Sequence, residues 1–156
     1  MKDSNIGAIG LQAELIIILL QISALIKLGS FAIFAFPIAN FWSRIAPLWA
    51  INQFPYLHEA TCASFHKKNW KGFNEFIPSI ITILFFTLAI NNFVINYSYK
   101  YQILALIYLC ILPTIIVPSI IGKILKGHSG DSYGASLIIV ETIILLIMAL
   151  FLKAIQ

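Results

Sequence analysis

The stretch GHSGDSYGA, residues 127–135, lies between two long apolar runs, Tyr101–Ile121 and Ala135–Leu152. Its three glycines let the backbone approach a ligand closely and take up conformations that other residues avoid. Asp131 adds a carboxylate, which suits Mg²⁺ or a hydrogen-bond donor. The same composition also suits an ordinary helix cap and turn. The stretch therefore predicts either a ligand-binding loop or a plain connection between two helices.

The composition indicates a membrane protein. Of the 156 residues, 60% are hydrophobic and only 10% are charged, and the mean hydropathy is +0.94. Soluble domains carry about 25% charged residues, whereas the apolar runs here approach the roughly 20 residues that cross a bilayer. The runs are continuous rather than alternating, which excludes a β-barrel. We expect an all-α, polytopic membrane helical bundle that forms a single integral-membrane domain over residues 1–156.

The apolar runs predict about five transmembrane helices, approximately over residues 8–26, 31–51, 77–95, 101–121 and 135–152. The second run carries Pro37 and Pro47, which predict a kinked or broken helix. Residues 52–76 form the largest polar segment, where Trp70 and Phe73 alternate with lysines. That pattern is typical of an interfacial segment on the membrane surface.

The distribution of cations predicts the orientation. Five spans place six lysines on one side (Lys2, Lys67, Lys68, Lys71, Lys123 and Lys126) and three on the other (Lys27, Lys100 and Lys153). By the positive-inside rule the first side is cytoplasmic. The N-terminal segment and loops 52–76 and 122–134 would therefore share the cytoplasmic face of a cell inner membrane, with the C-terminus opposite. A lipid surface accounts for these lysines, so we expect no nucleic-acid partner.

Three ionisable residues fall inside the predicted spans. Glu14 and Glu141 each lie six residues into a span, roughly 9 Å below the same face at 1.5 Å per residue, and Arg44 reaches the same zone from the second span. Charges in a membrane are costly and indicate function by default. They fit a polar cavity open to the cytoplasm, and they also fit a structural ion pair that holds the bundle together.

A second possible metal site lies in the polar segment. His58, Cys62 and His66 repeat at intervals of four residues, which would place them on one face of a helix. This spacing resembles that of zinc ligands, but no fourth ligand is evident. Cys62 and Cys110 fall on different segments and predict no disulfide framework.

Two motifs at opposite ends of the chain carry a family resemblance. KDSNIGAIG at 2–10 resembles a K-D-S-x-x-G-x-x-G motif, and GHSGDSYGA at 127–135 resembles a G-x-T-G-D-x-x-G-A motif, both of cobalamin synthase, the adenosylcobinamide-GDP ribazoletransferase family. Between them, Ser43-Arg44 and Phe54-Pro55-Tyr56 match further family segments, and Glu141 matches an acidic position. Ser129 departs from the usual threonine, and Tyr56 is not followed by the usual Ala-Arg.

The resemblance implies the last step of cobalamin (vitamin B12) nucleotide-loop assembly. α-Ribazole or its 5′-phosphate would join adenosylcobinamide-GDP with release of GMP, assisted by Mg²⁺. It implies Asp3, Asp131 and Arg44 as catalytic residues, with Asp131 and Asp3 as metal ligands and Lys126 as a further cation for phosphate. The implied substrate-binding residues are Lys2, Ser4, Gly127, His128, Ser129, Gly130, Gly134 and Glu141.

The resemblance also implies a missing part. Family members carry further N-terminal helices with an aspartate-rich D-G-x-x-D-x-x-D motif before the K-D-S motif, whereas here Met1 directly precedes Lys2. We therefore expect this chain to correspond to the C-terminal two-thirds of a member. An N-terminal partner segment or a homo-oligomer would complete it, and the chain alone would be inactive.

Two other functions fit a membrane helical bundle. One is a phosphotransferase of the CDP-alcohol type, whose D-G-x-x-A-R motif does not occur in this sequence. The other is a non-enzymatic membrane subunit or small transporter, which would need polar residues along several spans. The polar residues within the spans cluster toward one face instead, which favours the transferase interpretation.

Overall fold

The computed structural model describes residues 7–57, 67–93 and 97–152. This part of the chain is helical, which confirms the predicted all-α class. Its six helices are α1 (Ala8–Leu28), α2 (Ala32–Gln53), α3 (Ile77–Phe93), α4 (Tyr97–Leu109), α5 (Ile111–Leu125) and α6 (Gly130–Phe151). Two 3₁₀ segments, Gly29–Phe31 and Gly72–Phe76, precede α2 and α3.

The interruptions between helices have local causes. Gly29 ends α1 with φ at 55°, a conformation that a residue with a side chain rarely adopts. The predicted fourth span is divided at Cys110, between α4 and α5. Pro113 has no N–H to donate to the Leu109 carbonyl, and this explains the break. Pro37 and Pro47 lie inside α2, which continues from Ala32 to Gln53. Of the two predicted alternatives, the broken helix is therefore wrong, and the kinked helix stays a prediction.

Helix α6 is the centre of the bundle, and α1, α2, α4 and α5 all contact it. Val140, Ile144 and Leu145 on α6 are fully buried. Helix α2 approaches closely because four of its buried residues are alanines, Ala35, Ala39, Ala46 and Ala50, which lie beside the larger Trp42, Ile45 and Ile51. Small residues favour close contact between helices in lipid, where van der Waals packing has to replace the hydrophobic effect.

Hydrogen bonds and ring contacts fix the directions of the helices. Two contacts show that α1 runs parallel to α6. Near the starts of the two helices, Gly10 and Ala135 line one cavity. Further along both helices, Gln21 Nε2 donates to Thr142 Oγ1 at 2.9 Å. Helix α2 runs antiparallel to α6, since Phe54 at its end packs against His128. The starts of α1 and α6 and the ends of α2 and α5 therefore lie together, at what we call the polar end.

The polar segment 52–76, which carries three lysines, also reaches the polar end of the bundle. Lys67 Nζ donates to the Ile51 carbonyl, and Trp70 Nε1 donates to Asn52 Oδ1 at 3.1 Å. The structure thus brings the described parts of segments 52–76 and 122–134 to one end of the bundle, together with the start of α1; residues 1–6 of the N-terminal segment lie outside the described residues. The cytoplasmic orientation of this end stays a prediction.

Four stretches of the described chain are long and apolar enough to span a membrane, namely Ile9–Gln53, Gly72–Asn92, Lys100–Leu125 and Gly130–Phe151. These stretches indicate a multi-pass membrane protein. The first is 45 residues long and contains α1 and α2, which run in opposite directions along α6. The predicted number of about five crossings is consistent with this arrangement and stays a prediction.

Candidate active site

The loop between α5 and α6 turns tightly at the polar end. Lys126 ends α5 in the left-handed conformation, with φ at 58°, and the Gly127 N–H donates to the Gly122 carbonyl at 3.0 Å. A Cβ atom on Gly127 would lie 2.7 Å from the Leu57 side chain and 2.8 Å from the Pro55 carbonyl oxygen. Only glycine fits at this position without displacing the segment that follows α2.

A pair of backbone hydrogen bonds joins this loop to the segment after α2. The His128 N–H donates to the Pro55 carbonyl at 2.9 Å, and the Leu57 N–H donates to the His128 carbonyl at 2.9 Å. Together they form an isolated parallel bridge between Tyr56 and His128. The Phe54-Pro55-Tyr56 segment and the glycine-rich stretch, far apart in sequence, therefore form one structural unit.

His128 is fully buried within that unit. Its Nε2 lies 3.0 Å from the Pro118 carbonyl, which can only accept, so Nε2 carries the proton. Nδ1, 2.9 Å from Ser132 Oγ, is then the acceptor in the neutral ring. Tyr133 stacks on the imidazole at 5.2 Å. Burial lowers the pKa of His128 from its ordinary 6.5, and the hydrogen bond to Pro118 opposes that shift only in part.

Helix α6 begins at Gly130 rather than at Ala135, so the predicted loop is too long by five residues. Ser129 caps the helix, because its hydroxyl accepts from the Ser132 N–H at 3.3 Å, while Ser132 Oγ accepts from the Ser129 N–H at 2.8 Å. This reciprocal pair satisfies two N–H groups that a helix start leaves free. The polar residues of the motif are thereby held in the first turns of a helix.

The first turns of α6 present an open surface. Gly130, Asp131 and Gly134 are exposed, and a Cβ atom on Gly134 would meet nothing within 4 Å. Asp131 lies in the first turn, where the partial positive charge of the helix start favours a carboxylate. Lys123 and Lys126, at the end of α5, are exposed as well. This surface combines backbone that no side chain covers, at the exposed glycines, with a carboxylate and nearby cations.

A cavity of about 530 Å³ continues from this surface between α1 and α6. Asp131 does not line the cavity itself, but it precedes the lining residue Ala135 by one helical turn and so lies on the same face of α6. The lining residues are Gly10, Ala13, Glu14, Ile17, Ile18, Gln21, Ala135, Ile138, Ile139 and Glu141. Glu14 and Glu141 both line this cavity. Their predicted equal depth is wrong: α6 begins at Gly130, and Thr142 lies beside Gln21, so Glu141 lies about six residues, roughly 9 Å, deeper than Glu14.

Arg44 lies close enough to Glu141 for their charges to interact. Its Nε donates to Asn40 Oδ1 at 2.8 Å, one turn earlier in α2. Asn40 thereby restrains the guanidinium group, which is exposed. The two alternatives, a structural ion pair and a polar cavity open to the cytoplasm, both stay predictions.

The structure divides the predicted site residues into three groups. Gly130, Asp131 and Gly134 are exposed, Gly127 and His128 are buried in the loop, and Ser129 caps the helix. These residues all belong to the glycine-rich stretch, whereas Glu141 lines the cavity and Arg44 lies within range of its charge. The predicted residues Lys2, Asp3 and Ser4 lie outside the described residues, as do His58, Cys62 and His66. Within the described ranges, no group of three or more His, Cys, Asp or Glu side chains converges on a metal position.

Several contributors were not identified as site residues from the sequence. Tyr133 and Phe54 enclose the His128 ring, and Gln21 and Thr142 are bonded beside the cavity. Phe54 belongs to the Phe54-Pro55-Tyr56 segment, which the resemblance matched to a family segment without assigning it a role in the site. In the sequence, Gln21 resembles any isolated polar residue in an apolar helix. Only its hydrogen bond to Thr142 shows that it lies beside the cavity.

The fold and site define a class: multi-pass helical membrane proteins with a polar, glycine-rich site at one end of the bundle and carboxylates in an adjoining cavity. Within it, the family model of CobS, cobalamin-5-phosphate synthase, matches residues 1–149. The chain belongs to this family.

Curated relatives agree with that assignment. The adenosylcobinamide-GDP ribazoletransferase of Prochlorococcus marinus strain MIT 9313 is 45% identical over 99% of this chain and 60% of its own length. The enzyme of the same name from Synechocystis sp. is 31% identical over 96% of this chain and 58% of its own. The chain therefore spans about 60% of the length of these relatives, slightly less than the predicted two-thirds. No solved structure matches the chain.

Proposed function

We propose that this chain forms the membrane-embedded part of an adenosylcobinamide-GDP ribazoletransferase. A ribose hydroxyl of α-ribazole, or of its 5′-phosphate, attacks the cobinamide-side phosphorus of adenosylcobinamide-GDP. The bond from that phosphorus to the bridging oxygen breaks, GMP leaves, and the hydroxyl proton passes to a base. The observation that carries the proposal is the open surface of Gly130, Asp131 and Gly134 beside a cavity, in a chain of this family.

The start of α6 suits the diphosphate of the substrate. Free N–H groups and the helix dipole favour anions at a helix start, and exposed Gly130 and Gly134 allow the phosphate oxygens to come near the backbone. Lys126 and Lys123 add positive charge at the same end. Donors and cations that are already oriented stabilise charge as it develops in the transition state.

Mg²⁺ is the proposed metal, and Asp131 fits it in part. Mg²⁺ usually binds one or two protein carboxylates and fills its other positions with water and substrate phosphate. Asp131 is exposed, one helical turn before the cavity residue Ala135, and can serve as one such ligand; Asp3 is the second proposed ligand. When bound, Mg²⁺ would neutralise negative charge on the diphosphate and on the leaving GMP.

Arg44 and Glu141 have linked roles in this proposal. Asn40 holds the exposed Arg44 guanidinium, whose positive charge acts on Glu141. Ser129 and His128 hold the start of α6 in place from inside the protein. The proposed location is the cytoplasmic face of a cell inner membrane, and an additional N-terminal segment or a second copy is the proposed partner.

The test is a chimera in which residues 1–156 replace the matching region of the 45% identical Prochlorococcus relative. Membranes from a host without its own enzyme are supplied with adenosylcobinamide-GDP, α-ribazole and Mg²⁺. We expect cobalamin and GMP in equal amounts. If the folded chimera makes neither product while the intact relative does, the proposal is wrong.

A further inference from the structure

The cavity between α1 and α6 has two kinds of lining. Ala13 and four isoleucines, Ile17, Ile18, Ile138 and Ile139, form apolar walls, while Glu14 and Glu141 add carboxylates. The hydrogen bond from Gln21 to Thr142 crosses between the helices at one limit of the cavity. From Gly10 to Gln21 the lining extends over 12 residues of α1, about 16 Å along the axis. The cavity is therefore a cleft that leads inward from the polar end.

We propose that this cleft binds the ribazole nucleoside, with its base between the isoleucines and its ribose against Glu14. The inference rests on the proposed function and deepens it by assigning one of the two substrates to a place. The base of α-ribazole, dimethylbenzimidazole, is a flat apolar bicycle without an N–H donor. Apolar walls suit such a base, and a carboxylate at the mouth suits the hydroxyls of a ribose.

Charge favours the nucleoside over the other substrate. Adenosylcobinamide-GDP carries a diphosphate, and like charges at close range disfavour binding where water is scarce. Glu14 and Glu141 therefore make the cleft unsuitable for the diphosphate, which belongs at the helix start with Lys126. Unphosphorylated α-ribazole carries no negative charge, and its hydroxyls can donate to a carboxylate in charge-assisted hydrogen bonds.

Size agrees with the same assignment. Small-ligand sites usually enclose roughly 300–1,000 Å³, and the cleft encloses about 530 Å³. A nucleoside fits within it, whereas the corrin with its amide side chains and attached nucleotide does not. The ribose at the mouth would also lie next to Asp131, which is where the attacking hydroxyl has to meet the diphosphate.

The isoleucines then become specificity-determining residues. They would contact the two methyl groups of the base, and one methylene in an apolar pocket changes discrimination by roughly 10–200-fold. Ile17→Ala should weaken the preference for the dimethylbenzimidazole riboside over the plain benzimidazole riboside by about tenfold. Ile16→Ala is the matched control, because Ile16 is the adjacent residue, 59% exposed, and does not line the cleft.

A cavity-filling variant gives the decisive experiment. In the chimera, Ala13→Phe should raise KM for α-ribazole at least tenfold and leave KM for adenosylcobinamide-GDP within twofold. Glu14→Gln should raise KM for α-ribazole in the same selective way. Thermal unfolding in detergent verifies that each variant is folded. If Ala13→Phe raises KM for adenosylcobinamide-GDP instead, or changes neither KM, the assignment is overturned.

A binding measurement separates this inference from the proposed function. Equilibrium dialysis of labelled α-ribazole against purified residues 1–156 needs no catalysis. Binding that Ala13→Phe abolishes and Ile16→Ala preserves supports the assignment, even if the chimera makes no cobalamin. Absence of binding, or binding that Ala13→Phe leaves unchanged, overturns it, whether or not the chimera is active.

Discussion

Two cavities of similar size adjoin α6, and they differ in almost everything but size. The cleft between α1 and α6 measures about 530 Å³ and contains two glutamates and a glutamine. The other, about 600 Å³, is lined by α2, α3, α4 and Met148 of α6, with no charged side chain among its lining residues. Because their volumes are similar, volume does not show which cavity is functional. The polarity of the lining residues has to distinguish them.

The difference follows from what each cavity meets in a membrane. Lipid acyl chains satisfy an apolar lining without any specific contact, so the larger cavity needs no dedicated ligand. A carboxylate inside the bundle is costly unless a partner compensates it. Arg44 compensates Glu141 on one side, and Glu14 remains exposed. Helix α6 is thus divided along its length, with chemistry at its start and packing toward its end.

The largest expected effect separates the two halves of α6. In the active chimera, Asp131→Asn should lower turnover by roughly a hundredfold or more, as expected when a metal ligand or transition-state contact is lost. Met148→Leu, which keeps the volume of an apolar lining residue, should leave turnover within twofold. Steady-state assays at saturating substrates measure both. If Asp131→Asn and Met148→Leu changed turnover equally, the start and the end of α6 would not differ in function as described.

The second prediction compares two glycines of the same motif. Gly127→Ala should destabilise the protein by about 1–3 kcal/mol, the usual cost of overpacking, because the new Cβ would collide with Leu57 and the Pro55 carbonyl. Gly134→Ala, in an exposed helical position with open space around it, should stabilise by about 0.5–1 kcal/mol. Denaturant titration in detergent measures both changes. A stable Gly127→Ala variant would show that the loop does not need this close approach.

The sequence predicted the helices well where apolar runs end in clear breaks. The predicted runs 8–26 and 31–51 differ from α1 and α2 by only a few residues. The start of α6 was misplaced, because the polar composition of Gly130–Gly134 resembles a loop. What makes it helical is the reciprocal bonding of Ser129 and Ser132, and a serine pair is a weaker signal than the usual serine–glutamate box.

The site could be predicted only as far as local sequence carries it. The motif identified Asp131 and the glycines. Spacing along the helices put Glu14 and Glu141 on the same cavity but wrongly at one depth, because the predicted start of α6 was five residues too late. The burial of His128 depends on Phe54, Pro118 and Tyr133, which approach from three separate parts of the chain. No local pattern shows such a convergence. The resemblance implied His128 as a substrate-binding residue. Its imidazole is buried and supports the loop, and its contact with substrate stays a prediction.

The third prediction concerns that support. Burial lowers the pKa of His128 below 6.5, so the unfolded chain takes up a proton below this pH while the folded protein does not. The free energy of unfolding should therefore fall as pH drops below 6.5, down to the lowered pKa, and should not change through this group above 6.5. Unfolding measured at several pH values should show the decline, and His128→Gln should remove part of it. An unchanged slope in that variant would mean that His128 is not the titrating group.

The smallest expected effect tests the apolar cavity. Phe34 lines this cavity and is 69% exposed, so in a bilayer lipid chains can fill the space that Phe34→Ala would leave. Truncating a well-packed phenylalanine usually costs 3–5 kcal/mol, but that cost assumes an empty hole, and here lipid takes its place. Both KM values and turnover in the chimera should therefore stay within twofold, in contrast to Ala13→Phe in the polar cleft. If Phe34→Ala raised KM for either substrate tenfold, the apolar cavity would have to hold part of that substrate, and the division of α6 into a chemical half and a packing half would fail.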